Sequence, residues 1–129
     1  MVDTNIWSEV FRKTKPNVIV REVLIELIVN RLVLVCGPVR QELLSGIKES
    51  RIFENIKKSM RSFDDIEITT ADFEKAAEFN NTCRKNGIQG SHTDFLLCAL
   101  ASKPDITLLT LDKDFEHYSR FVNFNLQMI

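Results

Sequence analysis

Glycine, proline, cysteine and histidine are all scarce in this chain. Its 129 residues include 4 Gly, 3 Pro, 3 Cys and 2 His. So little glycine and proline excludes collagen-like and low-complexity architectures, and three widely spaced cysteines suit neither a disulfide framework nor a zinc ribbon. We therefore expect Cys36, Cys83 and Cys98 to be small buried side chains in a single domain spanning residues 1–129.

The chain also lacks a strong charge of either sign and a long apolar run. Its formal net charge is -1, so no overall basic field indicates nucleic-acid binding. The mild basic excess from Arg40 to Arg61 is typical of a solvated helix surface. The apolar stretch VLIELIV is broken by Glu26 and is too short to span a bilayer. The chain opens without the basic and apolar regions of a secretory leader, so we expect a cytoplasmic protein with no membrane contact.

Familiar catalytic motifs are missing as well. The sequence contains no GxxxxGK[ST] or GxGxxG loop, no GxSxG elbow and no HExxH helix. Its two histidines, His92 and His117, are isolated and are expected to lie at the surface or to cap helices. Any chemistry that this chain performs must therefore come from other side chains, and the acidic residues are the remaining candidates.

Helical and extended patterns alternate along the chain. Apolar residues recur at helical spacing in five segments: Thr4–Lys13, Val18–Asn30, Val39–Glu49, Ile52–Arg61 and Thr69–Gly87. Short apolar or alternating runs predict strands at Leu32–Cys36, Ile66–Thr69, Ile106–Leu111 and Val122–Met128, with Met1–Val2 as a very short first strand. Such alternation predicts an α/β fold with a mostly parallel sheet.

The stretch from Gly90 to Tyr118 is the centre of this pattern. Its helix is apolar on every side from Phe95 to Ala101, which is typical of a buried helix. The strand that follows is equally apolar, as a central parallel strand would be. Asp94 opens the helix and Asp112 follows the strand, and no neighbouring residue is an obvious partner for either carboxylate. Ligands of open α/β sheets bind beyond the carboxyl ends of the strands, where Asp112 is expected.

Four acidic residues occupy similar positions at the ends of predicted elements: Asp3, Glu42, Asp94 and Asp112. Each has an ordinary structural explanation when it is taken alone. Asp3 can cap the helix that begins at Thr4, Glu42 can be a solvated helix residue, and Asp94 can close a capping box begun by Ser91. All four on the carboxyl side of one sheet are harder to explain in this way.

Convergence of four carboxylates would require compensation for their repulsion. Two like charges about 4 Å apart repel by about 4 kcal/mol at an effective dielectric of about 20. Protons or a divalent cation could relieve this repulsion, and oxygen-only ligands favour Mg²⁺ or Mn²⁺. Such a site can orient and activate a water for attack on a phosphodiester. The acids therefore predict metal-dependent phosphodiester hydrolysis.

Four sequence motifs resemble the PIN domain family, in its VapC toxin branch. They are VDTNIW, PVRQELLSGI, TDFLLCALA and LLTLDKDF, at Val2–Trp7, Pro38–Ile47, Thr93–Ala101 and Leu108–Phe115. Their order and spacing match the family over essentially the whole chain. The resemblance implies a three-layer α/β/α fold with a mostly parallel five-stranded sheet. It also implies a Mg²⁺- or Mn²⁺-dependent endoribonuclease that acts as the toxin of a VapBC-type toxin–antitoxin pair.

The resemblance assigns roles to individual residues. It makes Asp3, Glu42, Asp94 and Asp112 the acidic catalytic cluster, with Asp3, Asp94, Asp112 and Asp114 as metal ligands. Asn5 and Thr110 would orient the cluster through hydrogen bonds. The implied partners are RNA, a second copy of the chain in a homodimer, and a VapB-type antitoxin that obstructs the acidic pocket.

Two other functions stay open on the sequence alone. The short Met1–Val2 strand leaves room for a catalytically silent PIN-like domain that only binds RNA or protein. A receiver-like phosphoacceptor module is also an α/β protein with an acidic Mg²⁺ pocket. It needs paired acids after its first strand, however, and Asp3 is single.

Overall fold

The computed structural model describes all of residues 1–129 and contains seven α-helices and two β-strands. In chain order these are α1 Thr4–Phe11, α2 Val18–Val29, α3 Gly37–Ser45, α4 Ser50–Met60, α5 Thr70–Lys85, α6 His92–Ala101, β1 Leu108–Thr110, α7 Asp114–Tyr118 and β2 Leu126–Met128. The chain divides into two compact units. We call Val2–Ile66 the N-terminal unit, and Met1 together with Glu67–Ile129 the C-terminal unit.

The N-terminal unit packs α1 against α2 and α3, and α3 against α4. Its core is formed by fully buried apolar side chains from these helices and from the segment before α3: Ile6, Trp7, Val20, Leu24, Val35, Cys36, Val39 and Met60. Trp7 stacks with Phe11 at a centroid distance of 6.2 Å and meets Phe63 at 5.2 Å. The helical periodicity that predicted α1 to α4 is therefore confirmed, since one face of each helix supplies this core.

Extended segments of the N-terminal unit pair through single hydrogen bonds. The Val2 amide donates to the Leu34 carbonyl at 3.0 Å, and the Ile66 amide donates to the Val35 carbonyl at 2.8 Å. Val35 and Asp65 form an isolated parallel bridge. These contacts join three short pieces of chain, but none of them is long enough to form a regular strand.

The strands predicted at Leu32–Cys36 and Ile66–Thr69 were therefore wrong in extent. Arg31 has a φ of 57°, in the left-handed region, and the following Leu32 is 64% exposed. Only Val35 and Cys36 of that run are fully buried before α3 begins. In the second segment, Thr69 is the N-cap of α5 and therefore does not belong to a strand. Turn and cap geometry thus shorten both segments.

Helix α2 leaves an apolar face in solvent. Val20 and Leu24 are buried, whereas Val18, Ile19, Ile25 and Val29 are between 49% and 74% exposed. The helix is apolar around most of its circumference, so one buried stripe cannot cover all of its aliphatic side chains. A contiguous exposed apolar face of this kind commonly marks an interaction surface.

The C-terminal unit is built on α6 and β1. Every residue from Phe95 to Ala101 is buried, as the apolar sequence predicted, and α6 packs against α5. Strand β1 is buried throughout and pairs in parallel with β2, with Leu108 opposite Leu126 and Thr110 opposite Met128. On the other side of β1, the Leu109 amide donates to the Met1 carbonyl at 2.9 Å.

The alternating tail behaves as predicted, although its regular strand is limited to β2. Val122 and Phe124 are buried, whereas Asn123, Asn125 and Gln127 are exposed. The chain therefore has parallel pairing in an α/β arrangement, but two regular strands do not confirm a five-stranded sheet. Single-domain organisation of residues 1–129 stays a prediction. None of the helices is both long and apolar enough to cross a lipid bilayer.

Candidate active site

Asp3 lies at the start of α1 and is 6% exposed. Its Oδ1 accepts a hydrogen bond from the Thr4 amide at 2.7 Å, and its Oδ2 accepts one from Asn5 Nδ2 at 2.8 Å. The predicted capping role of Asp3 is therefore confirmed. These hydrogen bonds compensate for the hydration that the buried carboxylate loses. Asn5 makes the contact that an orienting role requires.

Glu42 lies on α3 with an exposed side chain. Its Oε2 accepts a hydrogen bond from Thr4 Oγ1 at 2.8 Å. Thr4 thus touches two of the four predicted acids, Asp3 through its amide and Glu42 through its hydroxyl. Thr4 was not singled out by the sequence analysis. Its position directly after Asp3 was the only available signal.

Asp94 occupies the third position of α6 and forms a capping box with Ser91. The Asp94 amide donates to Ser91 Oγ at 3.0 Å, and the Ser91 amide donates to Asp94 Oδ2 at 3.3 Å. The predicted capping box is confirmed. The same Oδ2 also accepts a hydrogen bond from the hydroxyl of Tyr118 at 3.0 Å.

Asp112 and Asp114 follow β1 in a tight turn. The Asp112 amide donates to Thr110 Oγ1 at 3.0 Å, and the Asp114 amide donates to Asp112 Oδ1 at 2.9 Å. This side-chain turn, in which an aspartate accepts from the amide two residues on, opens α7. Thr110 is fully buried, Asp112 is half-buried and Asp114 is exposed. Thr110 therefore fixes the backbone from which Asp112 projects.

Tyr118 is the site residue that the sequence analysis missed. Its side chain is 1% exposed, and burial raises the pKa of its hydroxyl, with further contributions from Asp94, Asp114 and Asp112. Of these three carboxylates, Asp94 is in direct hydrogen-bond contact with the phenol. No residue near Asp94 in the sequence was an obvious partner, and the distant Tyr118 supplies one. The available clue in the sequence was that Tyr118 is the only tyrosine and follows Asp114 by four residues.

The donor set suits a hard divalent cation, although neither unit by itself brings three metal-binding side chains close together. All the predicted ligands are carboxylates, while the cysteines are buried and both histidines are exposed. Mg²⁺ usually keeps several waters and takes one or two protein carboxylates together with substrate phosphate oxygens. The predicted residues therefore fit such an ion in kind. Convergence of all four acids stays a prediction.

Comparison with known proteins gives relatives of similar length. A VapC ribonuclease from Mycobacterium bovis and ribonuclease VapC11 from Mycobacterium tuberculosis are each 28% identical over 127 residues. In both cases the match covers 95% of this chain and 93% of the relative.

Two solved structures share the fold. VapBC2 from Rickettsia felis, bound to a promoter DNA fragment, matches with a TM-score of 0.80 at 19% identity, over 100% of this chain and 97% of that one. FitAcB from Neisseria gonorrhoeae matches with a TM-score of 0.71 at 19% identity, over 96% and 95%. A family model for the PIN domain matches residues 1–120, and the chain therefore belongs to the PIN domain family.

Proposed function

We propose that this protein is a divalent-metal-dependent endoribonuclease and the toxin of a VapBC-type toxin–antitoxin pair. Membership of the PIN domain family and the near-full-length similarity to proteins named as VapC ribonucleases support this function. The site assignment rests on the hydrogen bonds that hold the acidic side chains in place. Asp3 and Asp94 each open a helix with their carboxylates held by side-chain donors, and Asp112 is held by the turn after β1. We also propose the three-layer α/β/α fold with a mostly parallel five-stranded sheet that the family resemblance implies.

The proposed ligands are the carboxylates of Asp3, Asp94, Asp112 and Asp114, with Mg²⁺ or Mn²⁺ as the ion. When bound, such an ion supplies positive charge that stabilises phosphate oxygens and lowers the pKa of a coordinated water. The oxygen-only chemistry of these four carboxylates supports the choice of Mg²⁺ or Mn²⁺. Asn5 and Thr110 serve as orienting residues, the first through the Asp3 carboxylate and the second through the Asp112 amide.

Glu42 is the proposed proton acceptor. Thr4 occupies its Oε2, and Oε1 accepts no hydrogen bond from the protein, so this oxygen is available to a water. We expect a water oxygen to form a bond to phosphorus while the bond to the leaving ester oxygen breaks. Glu42 takes the proton of that water, the leaving oxygen takes a proton from solvent, and no covalent enzyme intermediate forms. The exposure of Glu42 gives it direct access to an RNA backbone.

The proposed partners are a VapB-type antitoxin and a second copy of the chain. The two structures with the same fold are those of VapBC2 and FitAcB. The exposed aliphatic face of α2 supports a protein partner, because such faces favour burial against another chain. We propose that the protein acts on RNA in the cytoplasm.

A catalytically silent PIN-like domain is the second candidate. The observation that favours it is that neither unit by itself gathers three metal-binding side chains. Such a protein would bind RNA without cutting it. The receiver-like alternative is set aside, since the chain matches the PIN domain family and lacks paired acids at Asp3.

The decisive experiment incubates purified protein with a mixed RNA substrate in Mg²⁺, in Mn²⁺ and in excess chelator. We expect cleavage in either metal and none in chelator. Sequencing of RNA ends after induced expression should then reveal recurrent cut sites together with growth arrest. RNA binding without cleavage in both metals would overturn the nuclease and favour the silent domain. Cleavage that persists in chelator would overturn the role of the metal.

A further inference from the structure

We propose that Tyr118 is a positioning residue that fixes the Asp94 carboxylate through one oxygen and leaves the other available to a divalent cation. This inference rests on the proposed metal-dependent nuclease. It goes beyond it by assigning a role to a side chain outside the predicted acidic set. We call Gly90, Ser91, Asp94 and Tyr118 the Asp94 anchor.

The hydrogen bonds of the Asp94 anchor are unequally divided between the two carboxylate oxygens. Asp94 Oδ2 accepts from the Tyr118 hydroxyl at 3.0 Å and from the Ser91 amide at 3.3 Å. Asp94 Oδ1 accepts no hydrogen bond from the protein. Two donors on one oxygen define the rotation of the carboxylate, so the second oxygen has a set direction and an open coordination position.

The phenol ring is itself held in place by aromatic neighbours. Phe95 meets it at a centroid distance of 4.9 Å with an interplanar angle of 45°, and Phe115 meets it at 5.4 Å and 78°. Tilted and edge-on pairs at these distances are favourable arrangements. With the ring 1% exposed and packed on two sides, its hydroxyl cannot move far from Asp94. The donor is therefore pre-organised rather than recruited by a ligand.

Gly90 makes this arrangement sterically possible. A Cβ added at Gly90 would lie 2.5 Å from the Tyr118 hydroxyl oxygen, 2.8 Å from Tyr118 Cζ and 3.0 Å from Phe95 Cε2. Gly90 has no left-handed φ, so close approach, and not backbone conformation, is the reason for glycine here. Directly before the cap residue Ser91, the chain thus passes over the phenol at a distance that excludes any side chain.

Comparison with α5 distinguishes positioning from simple capping. Asp72 holds the equivalent place in the capping box of α5 and forms an ion pair with Lys103, with 2.9 Å between Nζ and Oδ2. Asp94 has no cationic partner, and its extra donor is a neutral phenol. A cation neutralises a carboxylate, whereas a neutral hydroxyl orients it and leaves its charge for another positive ligand. The two aspartates share a cap geometry but differ in the charge they retain.

The test removes only the hydroxyl. Tyr118→Phe keeps the ring and its aromatic contacts, and Ser91 still donates to Asp94. We expect Mn²⁺ affinity, measured by calorimetric titration without RNA, to fall by about 10- to 100-fold, as for other residues that orient metal ligands. In cleavage assays the Mg²⁺ concentration for half-maximal rate should rise by a similar factor. The KM for RNA should change little.

Gly90→Ala provides a second, independent variant. Its Cβ displaces the Tyr118 hydroxyl, so it should weaken Mn²⁺ binding in the same way. The double variant Gly90→Ala/Tyr118→Phe should bind Mn²⁺ about as weakly as either single variant, because both act through one hydrogen bond. Additive losses would show that the two residues act separately, and would overturn the anchor.

Thr69→Val is the matched control. It removes a hydroxyl that donates to Asp72 Oδ2 at 3.1 Å and accepts from the Asp72 amide at 3.3 Å, in the capping box of α5. We expect a lower melting temperature with unchanged Mn²⁺ affinity. If Tyr118→Phe behaves like this control, losing stability but binding Mn²⁺ as the wild type does, Tyr118 is only structural and the inference fails. If the wild type neither binds Mn²⁺ nor cleaves RNA, the proposed nuclease fails instead.

Discussion

The paired capping boxes of α5 and α6 allow stability and activity to be separated in one experiment. Asp72 and Asp94 occupy the same cap position, on helices that pack against each other. We consider the substitutions Asp72→Asn and Asp94→Asn, each of which replaces one carboxylate oxygen by an amide of the same shape. The proposed function predicts opposite rankings of the two variants for stability and for RNA cleavage.

For Asp94→Asn the structural loss is small. The remaining side-chain oxygen can still accept from Tyr118 and Ser91, as Oδ2 does now. The lost charge at the start of α6 costs about 0.3–1 kcal/mol. Weakening of the charge-assisted hydrogen bond from Tyr118 adds about 1 kcal/mol. We therefore expect the free energy of unfolding to fall by about 1–2 kcal/mol.

For Asp72→Asn the structural loss is larger. Burial is the largest influence on the pKa of Asp72 and raises it, but hydrogen bonds from Thr69 and Lys103 outweigh burial and lower the pKa below 3.8. Removing one partner of a fully buried ion pair costs about 3–5 kcal/mol. The side chain of Lys103 is 38% exposed, so solvent screens this pair and we expect a loss of about 2–3 kcal/mol.

Urea unfolding and cleavage of a fluorescence-quenched RNA in Mg²⁺ measure the two quantities on the same samples. Asp94→Asn should lose about 100-fold or more of the cleavage rate, since a direct ligand should matter at least as much as the groups that orient it. Asp72→Asn should retain wild-type cleavage wherever it is folded. Wild-type activity in Asp94→Asn, or equal loss in a folded Asp72→Asn protein, would refute the assignment of Asp94.

Three further outcomes follow from single contacts. The folded-state pKa of Asp72 is lowered, so the stability that its carboxylate contributes is present above about pH 4 and disappears as the pH falls through the folded pKa. In urea titrations from about pH 6 to about pH 2.5, the free energy of unfolding should therefore fall less in Asp72→Asn than in the wild type. Because Asp112 is half-buried and Asp114 exposed, Asp112→Asn should reduce cleavage more than Asp114→Asn, and the reverse order in rate assays would assign the main role to Asp114. Thr4→Val removes the donor to Glu42 Oε2 and should lower kcat about 10-fold with RNA KM unchanged, whereas a change in KM alone would contradict an orienting role.

Local patterns in the sequence predicted local structure well. The Ser91 capping box forms as its spacing indicated. A cap needs only residues three positions apart on one turn, and its stereochemistry is fixed by the helix itself. The burial of α6 was readable for a similar reason, since no face of Phe95–Ala101 is polar.

Patterns that depend on distant residues were harder to read. The run Leu32–Cys36 looks like a strand, but the left-handed Arg31 leaves Leu32 in solvent and only a bridge forms at Val35. The partnership of Tyr118 with Asp94 joins residues 24 positions apart. Nothing in local spacing specifies such a contact, because it arises only when α7 packs against the start of α6.

Each compact unit contains one natural optical reporter. Trp7, the only tryptophan, is 2% exposed among aromatic neighbours of the N-terminal unit, and Tyr118, the only tyrosine, is buried in the C-terminal unit. Indole emission during denaturation therefore follows one half of the chain, and tyrosine absorbance follows the other. Superimposable transitions would indicate that residues 1–129 melt as one cooperative domain, whereas separated midpoints would reveal two.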